Sequence, residues 1–469
     1  MSESSVVLQT KNVNFKTHYQ ASGIYKYSRV NLDSGSNGNG GIITLDTLGG
    51  LAAKFKLPAE VYNLSKSYIS YTISMPAPAA KCNVLYADVA LPWVQSIQLG
   101  TMGNFDVVNL QNSNLYSRIA RKLDTSLDEF ESSDVFSGLT KSDLTSTNYV
   151  PSGYTSLAGN SLGVPAGAPA VVAPSPNEPL YSRSSAAATA MQVQHNVPLS
   201  SFTNTLLSMP QDMYFGPNSM YLTLNTASSA KLGYVATAAT NPITGAAPLE
   251  AQPVISNLYL FLAMEKDEKI ARNIKELYAS GQFKFMIPYT YSFKTSSNGA
   301  VDFNVSHNFT PQHGKKLKRV LYVPMPVTET LNNAYDHSNY SGSKIANYQT
   351  YLNSTPLQDA RLNCIQASNA APGLVLDDWR ENRLICKGSA IQGPACYQLN
   401  WFHCDSFCGK NETASIPDSQ IFEGLDMDAD KLWTMSINSP SAPNLSHYVF
   451  ATFARELILA PGQDPMWGA

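Results

Sequence analysis

The sequence predicts an all-β protein of antiparallel sheets, arranged as two successive β units. Three observations carry this. Strand-length alternation of apolar and polar residues recurs along the chain, most clearly between Phe283 and Phe309. Charged residues make up 14% of the 469 positions, against roughly 25% in ordinary globular proteins, and Tyr, Asn, Ser, Thr and Ala fill the gap. A clean helix from Asp267 to Ser280 separates one set of strand patterns from the next.

Taken in order, residues 1 to about 20 form a polar arm without a clear period. Ser34 to Gly41 is a glycine-rich loop, and it lacks the Gly-Lys-Ser/Thr ending of a phosphate cradle. Tyr68 to Met75 alternates as a strand and is stopped by Pro76-Ala77-Pro78; Trp93 to Leu99 is another strand candidate. From Asn104 to about Lys122 the period becomes helical, with Val108, Leu115, Ile119 and Leu123 on one face and Arg118, Arg121 and Lys122 in the last turn. Thr125 to Glu129 offers a capping box for a second short helix.

Residues 150 to 190 are rich in Pro, Ala, Ser and Gly. So long a stretch without a period is a functional loop or a linker, and the first is preferred because strand patterns resume at Met191 to Leu199. Met220 to Asn225 and Val254 to Met264 follow, the latter apolar on both faces and so expected in a sheet covered on both sides. In the Asp267–Ser280 helix, Ile270, Ile274, Leu277 and Tyr278 make one stripe and Gly281 stops it. Later strands are read at Arg319–Val323, Cys396–Cys404, Trp433–Ile437 and Tyr448–Leu459.

The two runs around Asn298-Gly299 pose a register problem. Each predicts one buried and one wet face, and Asn-Gly is the strongest short hairpin signal. A two-residue loop there pairs odd positions with even ones, yet the apolar residues of both runs are odd-numbered. Either the loop is odd or bulged, or the strands belong to different sheets that face each other across a core.

Signals for chemistry are weak. Net charge is −3, so no bulk field draws the chain to nucleic acid or an anionic membrane. No apolar run reaches membrane-span length, and the start of the chain does not read as a secretory signal; the expectation is a soluble protein made in a reducing compartment. The six cysteines, Cys82, Cys364, Cys386, Cys396, Cys404 and Cys408, form no disulfide framework in so long a chain. His403, Cys404 and Cys408 invite a zinc reading, but C-x3-C without a second pair favours buried thiols. Asp426 to Asp430 begins like a calcium loop, yet Lys431 and Ile437 stand where Gly and Glu belong, which leaves a solvated acidic turn. Lys315 to Arg319 reads either as a nucleic-acid patch or, by preference, as charge protecting a strand edge. The Asn304, Asn308, Asn411 and Asn444 sequons mean little without secretion. No catalytic, cofactor-binding or metal residue is nominated.

Several segments carry a family likeness. Met209-Pro210-Gln211-Asp212-Met213-Tyr214-Phe215-Gly216 with the strand after it, Asn257 to Leu262 with the helix after it, and Ile287-Pro288-Tyr289-Thr290-Tyr291 resemble the double jelly-roll major capsid proteins of small double-stranded DNA viruses, the virophages and Polinton-like viruses. Trp93 to Leu99 and Tyr397 to Trp401 are similar to further segments of that family. The likeness covers most of the chain from about residue 60 and rests on the order of elements, with no diagnostic motif.

The resemblance implies two tandem eight-stranded jelly-roll barrels joined by a short linker helix, with inserted helices and long loops. The arm would be 1–20, the first barrel 21–265, the linker helix 266–280 and the second barrel 281–469. It implies no enzyme and no cofactor. It implies instead a self-assembling capsid protein that forms homotrimeric, pseudo-hexagonal capsomers tiling an icosahedral shell. The partners would be neighbouring trimers, penton and minor capsid proteins, and an internal membrane or genome-associated proteins on the inner face, with no specific nucleic-acid binding. Its place would be the virion, after synthesis inside the host cell. The rivals are a β-sandwich carbohydrate-binding or adhesion protein, a β-rich hydrolase with a spatially assembled carboxylate pair, and a single jelly-roll shell protein. Within the family reading the Phe283 and Asp302 strands open the second barrel from opposite sheets, which removes the register conflict.

Overall fold

A computed structural model describes residues 24–33, 41–46, 48–75, 82–86, 91–101, 105–124, 154–155, 164–165, 182–185, 191–217, 220–228, 233–236, 247–248, 252–281, 283–326, 345–363, 402–408, 424–439 and 444–468. The N-terminal part supplies β1 (Tyr25–Val30), β2 (Ala52–Lys56), β3 (Tyr62–Met75), β4 (Val94–Thr101), β5 (Asp106–Gln111), α1 (Ser113–Asp124), β6 (Met191–Pro198), β7 (Asp212–Met213), β8 (Met220–Thr226) and β9 (Val254–Glu265). After α2 (Glu268–Ala279) come β10 (Phe283–Ser296), β11 (Asp302–Phe309), β12 (Lys316–Pro326), β13 (Asn347–Leu352), β14 (His403–Ser406), β15 (Lys431–Asn438), β16 (Leu445–Leu459) and β17 (Met466–Trp467).

The sheet orders define the fold. Before α2, one sheet runs β1-β9-β3-β6, with β7 also on β3, and a second runs β2-β8-β4-β5. After α2, one sheet runs β10-β16-β12-β14 and a second β11-β15-β13, extended by the short segments Thr355–Pro356 and Leu362–Asn363 on β13. In both halves the first strand lies beside the last long strand (β1 on β9, β10 on β16), and the second lies beside the long strand before it (β2 on β8, β11 on β15). That is the wrapping of a jelly roll, a long hairpin rolled so that two sheets share one core. The chain performs it twice, with all these ladders antiparallel.

β10 and β11 lie in different sheets: β10 pairs β16, and β11 pairs β15. Their odd-numbered faces meet across the second core, where the Phe293 ring stacks on His307 at 4.2 Å and Val305 and Phe309 are buried. Asn298 and Gly299 have φ of 48° and 75°, the left-handed pair of a type I′ turn, closed by Ala300 N donating to Ser297 O at 3.1 Å. The turn is therefore tight although the strands it joins never pair.

Several local expectations change. The helical reading from Asn104 is wrong for its first third, since 106–111 is strand β5. Asn112, at φ 53°, breaks the backbone before α1 begins. Val108 fitted the helical stripe by coincidence of spacing. The even-numbered face of β10 is not wet at its centre: Thr290 is 3% exposed because that face packs on the first barrel. β9 is covered on one side only. Ile255, Leu258, Leu260 and Leu262 are in the core, whereas Tyr259 and Phe261 are half-buried on the outer face. An irregularity at Asn257, φ 50°, shifts the face of the strand there. The predicted second helix at 125–129 and the strand interior at 397–401 lie outside the described residues. Within 150–190 the described backbone is Tyr154–Thr155 paired with Val164–Pro165, and Ser182–Ser185 paired with Cys82–Tyr86.

α2 forms as its sequence dictates. The Asp267 carboxylate caps it by accepting from the Lys269 and Ile270 amides at 2.9 and 3.3 Å. Ile274 and Tyr278 are buried, and Gly281 takes φ 68° just past the end.

Candidate functional site: the seam between the barrels

The most elaborate polar constellation among the described residues lies where the barrels meet, and its centre is an ion pair between α1 and β12. Arg319 Nη1 donates to Asp124 Oδ1 at 2.5 Å and Nη2 to Asp124 Oδ2 at 2.8 Å, a bidentate fork. The same Oδ2 accepts from Thr203 Oγ1 at 2.5 Å and Asn204 Nδ2 at 2.7 Å. Tyr116 Oη donates to Thr203 O at 2.8 Å and receives Arg319 Nη2 at 3.4 Å. Thr290 of β10 donates to Asn204 O at 3.0 Å and meets Thr452 of β16 at 3.1 Å.

Both charges are largely removed from water, with side-chain exposures of 10% for Arg319 and 18% for Asp124. Burial alone would make the guanidinium easier to deprotonate, but the Asp124 carboxylate beside it holds the arginine firmly charged. Asp124 is also the last residue of α1, where the helix dipole disfavours an anion. That position is sustained by the cation the second barrel supplies.

Aromatic contacts flank this polar centre. Tyr116 packs on Phe450 at 5.1 Å and Phe105 on Trp467 at 5.2 Å. Arg455 lies 3.9 Å over the Trp467 ring. At the α2 end, Tyr278 Oη donates to Ala460 O at 3.2 Å, and its ring meets Tyr214 edge-on at 5.0 Å. Gly216 makes room for it: at φ 74°, a β-carbon there would come within 2.1 Å of the Tyr278 hydroxyl. What the arrangement can do is mechanical. It fixes two barrels as one block.

The candidates raised by the sequence fall elsewhere. The basic run is dispersed. Lys315 pairs with Glu456 and Lys316 with Asp426, both at 2.8 Å, Lys318 is buried, and Arg319 enters the seam. β12 is an interior strand, so the edge-protection reading fails along with the nucleic-acid one. The acidic turn is exposed and paired, Asp426 to Lys316 and Asp428 to Lys431 at 3.0 Å.

Cys404 is buried and its thiol is pushed up to about 12, burial being the main cause, so it stays protonated rather than acting as a thiolate ligand. Cys408 Sγ donates to Lys318 O at 3.7 Å. The Cys82 side chain and Cys364, Cys386 and Cys396 lie outside the described residues. His403 serves structure instead: Nδ1 meets Tyr348 Oη at 2.7 Å and Nε2 meets Asp405 at 2.9 Å. Asp405 also accepts from Trp433 Nε1 at 2.8 Å and Thr350 Oγ1 at 2.9 Å. Burial alone would raise the Asp405 carboxyl, but His403 and these donors hold it below the usual range. This Tyr-His-Asp chain has the look of a proton relay, yet Tyr348, His403 and Asp405 are 0%, 2% and 7% exposed, sealed in the second core.

No protein-family model matches the sequence, and no curated protein is similar to it. Solved structures are. The Faustovirus major capsid protein matches with a TM-score of 0.50 at 9% identity, over 94% of this chain and 91% of its own. The mavirus major capsid protein gives 0.48 at 8% identity, over 95% and 92%. PBCV-1 VP54, as fitted into a reconstruction of the virophage Sputnik, gives 0.49 at 9% identity, over 95% and 97%. At 9% identity the Faustovirus likeness concerns fold, and with the two rolled sheet pairs described above the chain has the double jelly-roll fold.

Proposed function

We propose that this double jelly-roll chain is the major capsid protein of a non-enveloped icosahedral DNA virus and acts by self-assembly. A fold does not by itself imply a function. The observation that carries the reading is the seam: two barrels of the same strand order, locked by a buried ion pair, make one rigid block with two quasi-equivalent halves. Three such blocks around a threefold axis present six barrels, a pseudo-hexagonal tile that closed symmetry favours. The Faustovirus structure it resembles is, by its description, a major capsid protein. The division into barrels at 21–265 and 281–469, with 266–280 as linker, belongs to this reading, as do the virion location and contacts with penton and minor capsid proteins. No catalytic step is assigned to the chain.

The test is the mass of the purified protein by mass photometry or light scattering, with negative-stain imaging. Trimers showing hexagonal outlines are expected. A chain that stays monomeric at high concentration overturns the proposal.

One observation favours a second reading, a carbohydrate-binding or adhesion protein. On the outer face of the β1-β9-β3-β6 sheet, Tyr27, Tyr68 and Phe261 form a row, with ring separations of 5.6 and 4.9 Å, beside Tyr259 under Arg29. Tyr27 is 52% exposed. Glycan-array binding that is lost in Tyr27→Ala, from a monomeric protein, would support that reading instead.

A further inference from the structure

The first barrel holds another buried polar knot, where it passes the chain to α2. Asp212 of β7 is 0% exposed. Its Oδ1 accepts from Tyr25 Oη on β1 and from Asn63 Nδ2 on β3, both at 3.0 Å. Its Oδ2 is buried as well, and no donor reaches it. A second carboxyl lies against it instead: Glu265, the last residue of β9, is within hydrogen-bonding range of Asp212. Glu265 is the cross-strand partner of Tyr25, and its Oε1 accepts the amide of Asp267, the α2 cap, at 2.8 Å. Two carboxylates are acceptors only, so a hydrogen bond between them requires a proton. Asp212 is also sealed from solvent at 0% exposure, so no sugar reaches it. The hydrolase rival therefore gains nothing from the pair.

The surrounding charges do not neutralise Asp212. Tyr25 stays a protonated donor, because burial and the Asp212 charge push its hydroxyl far up. Asn63 is neutral. Glu265 also borders an open groove with Glu60, Lys266 and, from α2, Glu268, Arg272, Lys275 and Glu276. Lys275 there is engaged with Glu60 at 2.7 Å.

We propose that Asp212 and Glu265 form a proton-operated latch, closed when they share one proton and opened by their repulsion when it leaves. Closed, it ties β1, β3, β7 and the end of β9 to the root of α2. The strand released first is β1, which sits at the end of its sheet with β9 as its neighbour. Burial, then Glu265, raises the Asp212 carboxyl to about 6. The folded value lies above the unfolded one, so the fold retains a proton that the unfolded chain gives up. Stability from this site is therefore full below about pH 4, falls as pH rises toward 6, and stays reduced above that.

The test is hydrogen–deuterium exchange on the full chain at pH 5 and pH 7.5, with protection corrected for intrinsic rates, in chelator and in added calcium. Protection of the β1 and β7 amides should fall about tenfold at the higher pH, since about one pH unit separates pH 5 from the folded value. The opposing sheet of the same barrel, β2, β8 and β4, serves as the internal reference. In Glu265→Gln the amide donates to Asp212 Oδ2 without a proton, so protection should stay at its acid level at pH 7.5. Asp212→Asn gives the same readout should that variant fail to fold. A β1 whose protection ignores pH overturns the latch, as does a pH dependence that survives both substitutions. Calcium restoring protection at pH 7.5 would also overturn it, in favour of a cation site.

Discussion

Arg319 and Asp124 stand 195 positions apart, and each looked ordinary in its own neighbourhood, one in a basic run and the other at a helix end. Together they carry the seam, and removing either strands the other. Arg319→Ala leaves the Asp124 carboxylate largely buried without its cation, and breaking such a pair costs about 3–5 kcal/mol. Calorimetry should show a lower melting temperature and separate transitions for the two barrels. Arg319→Lys should recover only part of the loss, because an ammonium cannot reproduce the two-pronged contact.

His447 is a second residue whose environment decides its behaviour. Its Nδ1 meets Tyr322 Oη at 2.7 Å, its Nε2 has no partner, and burial lowers its value to about 4. The folded value lies below the unfolded one, so its contribution is full above about pH 6.5 and is lost as pH falls toward 4, by at most roughly 3 kcal/mol. His307 and His313, half-buried among Tyr291, Phe309 and Phe453, are lowered by burial too and act in the same direction. The double variant His447→Phe, Tyr322→Phe removes both polar partners. Urea midpoints should then fall less between pH 7 and pH 4.5 than in the native protein.

At the scale of elements, the Asn298-Gly299 turn separates two properties usually found together. Its backbone is that of a tight hairpin, yet the strands beyond it diverge into opposing sheets. Gly299→Val places a β-branched residue at φ 75° and should cost roughly 1–3 kcal/mol by urea titration. Inserting one glycine after Gly299 should lower the melting point far less than a one-residue slip in a paired ladder. There is no β10–β11 register to disturb, and loop-closure entropy changes little with one residue. Strand β5 and helix α1 teach the opposite lesson. Four apolar residues at helical spacing spanned both, and only the left-handed Asn112 marks where one period ends.

At the scale of the molecule the two barrels respond to acid with opposite signs. The Asp212–Glu265 latch gains stability as pH falls toward 4, while His447 and its neighbours lose it below about 6.5. In global unfolding these terms partly cancel, so the informative measurement resolves them by barrel. Exchange protection from pH 7.5 to pH 5 should rise in β1 and fall in β11 and β16. A uniform change across the chain would count against both assignments. The seam keeps the barrels one body while their local stabilities move apart.

The sequence by itself determined what depends on neighbours along the chain: the period-two strands, the capped helix between two strand sets, the glycine after it, and the odd-numbered faces of β10 and β11. Those faces ruled out a plain two-residue hairpin ladder but left a bulged loop and a parting into different sheets both open, and the structure decides for the second. Only the tertiary structure decided what depends on residues meeting across long separations. The fork between Arg319 and Asp124, the carboxyl pair of Asp212 and Glu265, and the sealed Tyr348–His403–Asp405 chain are buried polar contacts. Periodicity registers apolar faces and is blind to such pairs. The wet face assigned to β10 failed because the first barrel packs on it, and the edge assigned to Lys315–Arg319 failed because β16 and β14 flank β12 in its own sheet; nothing local announces either neighbour.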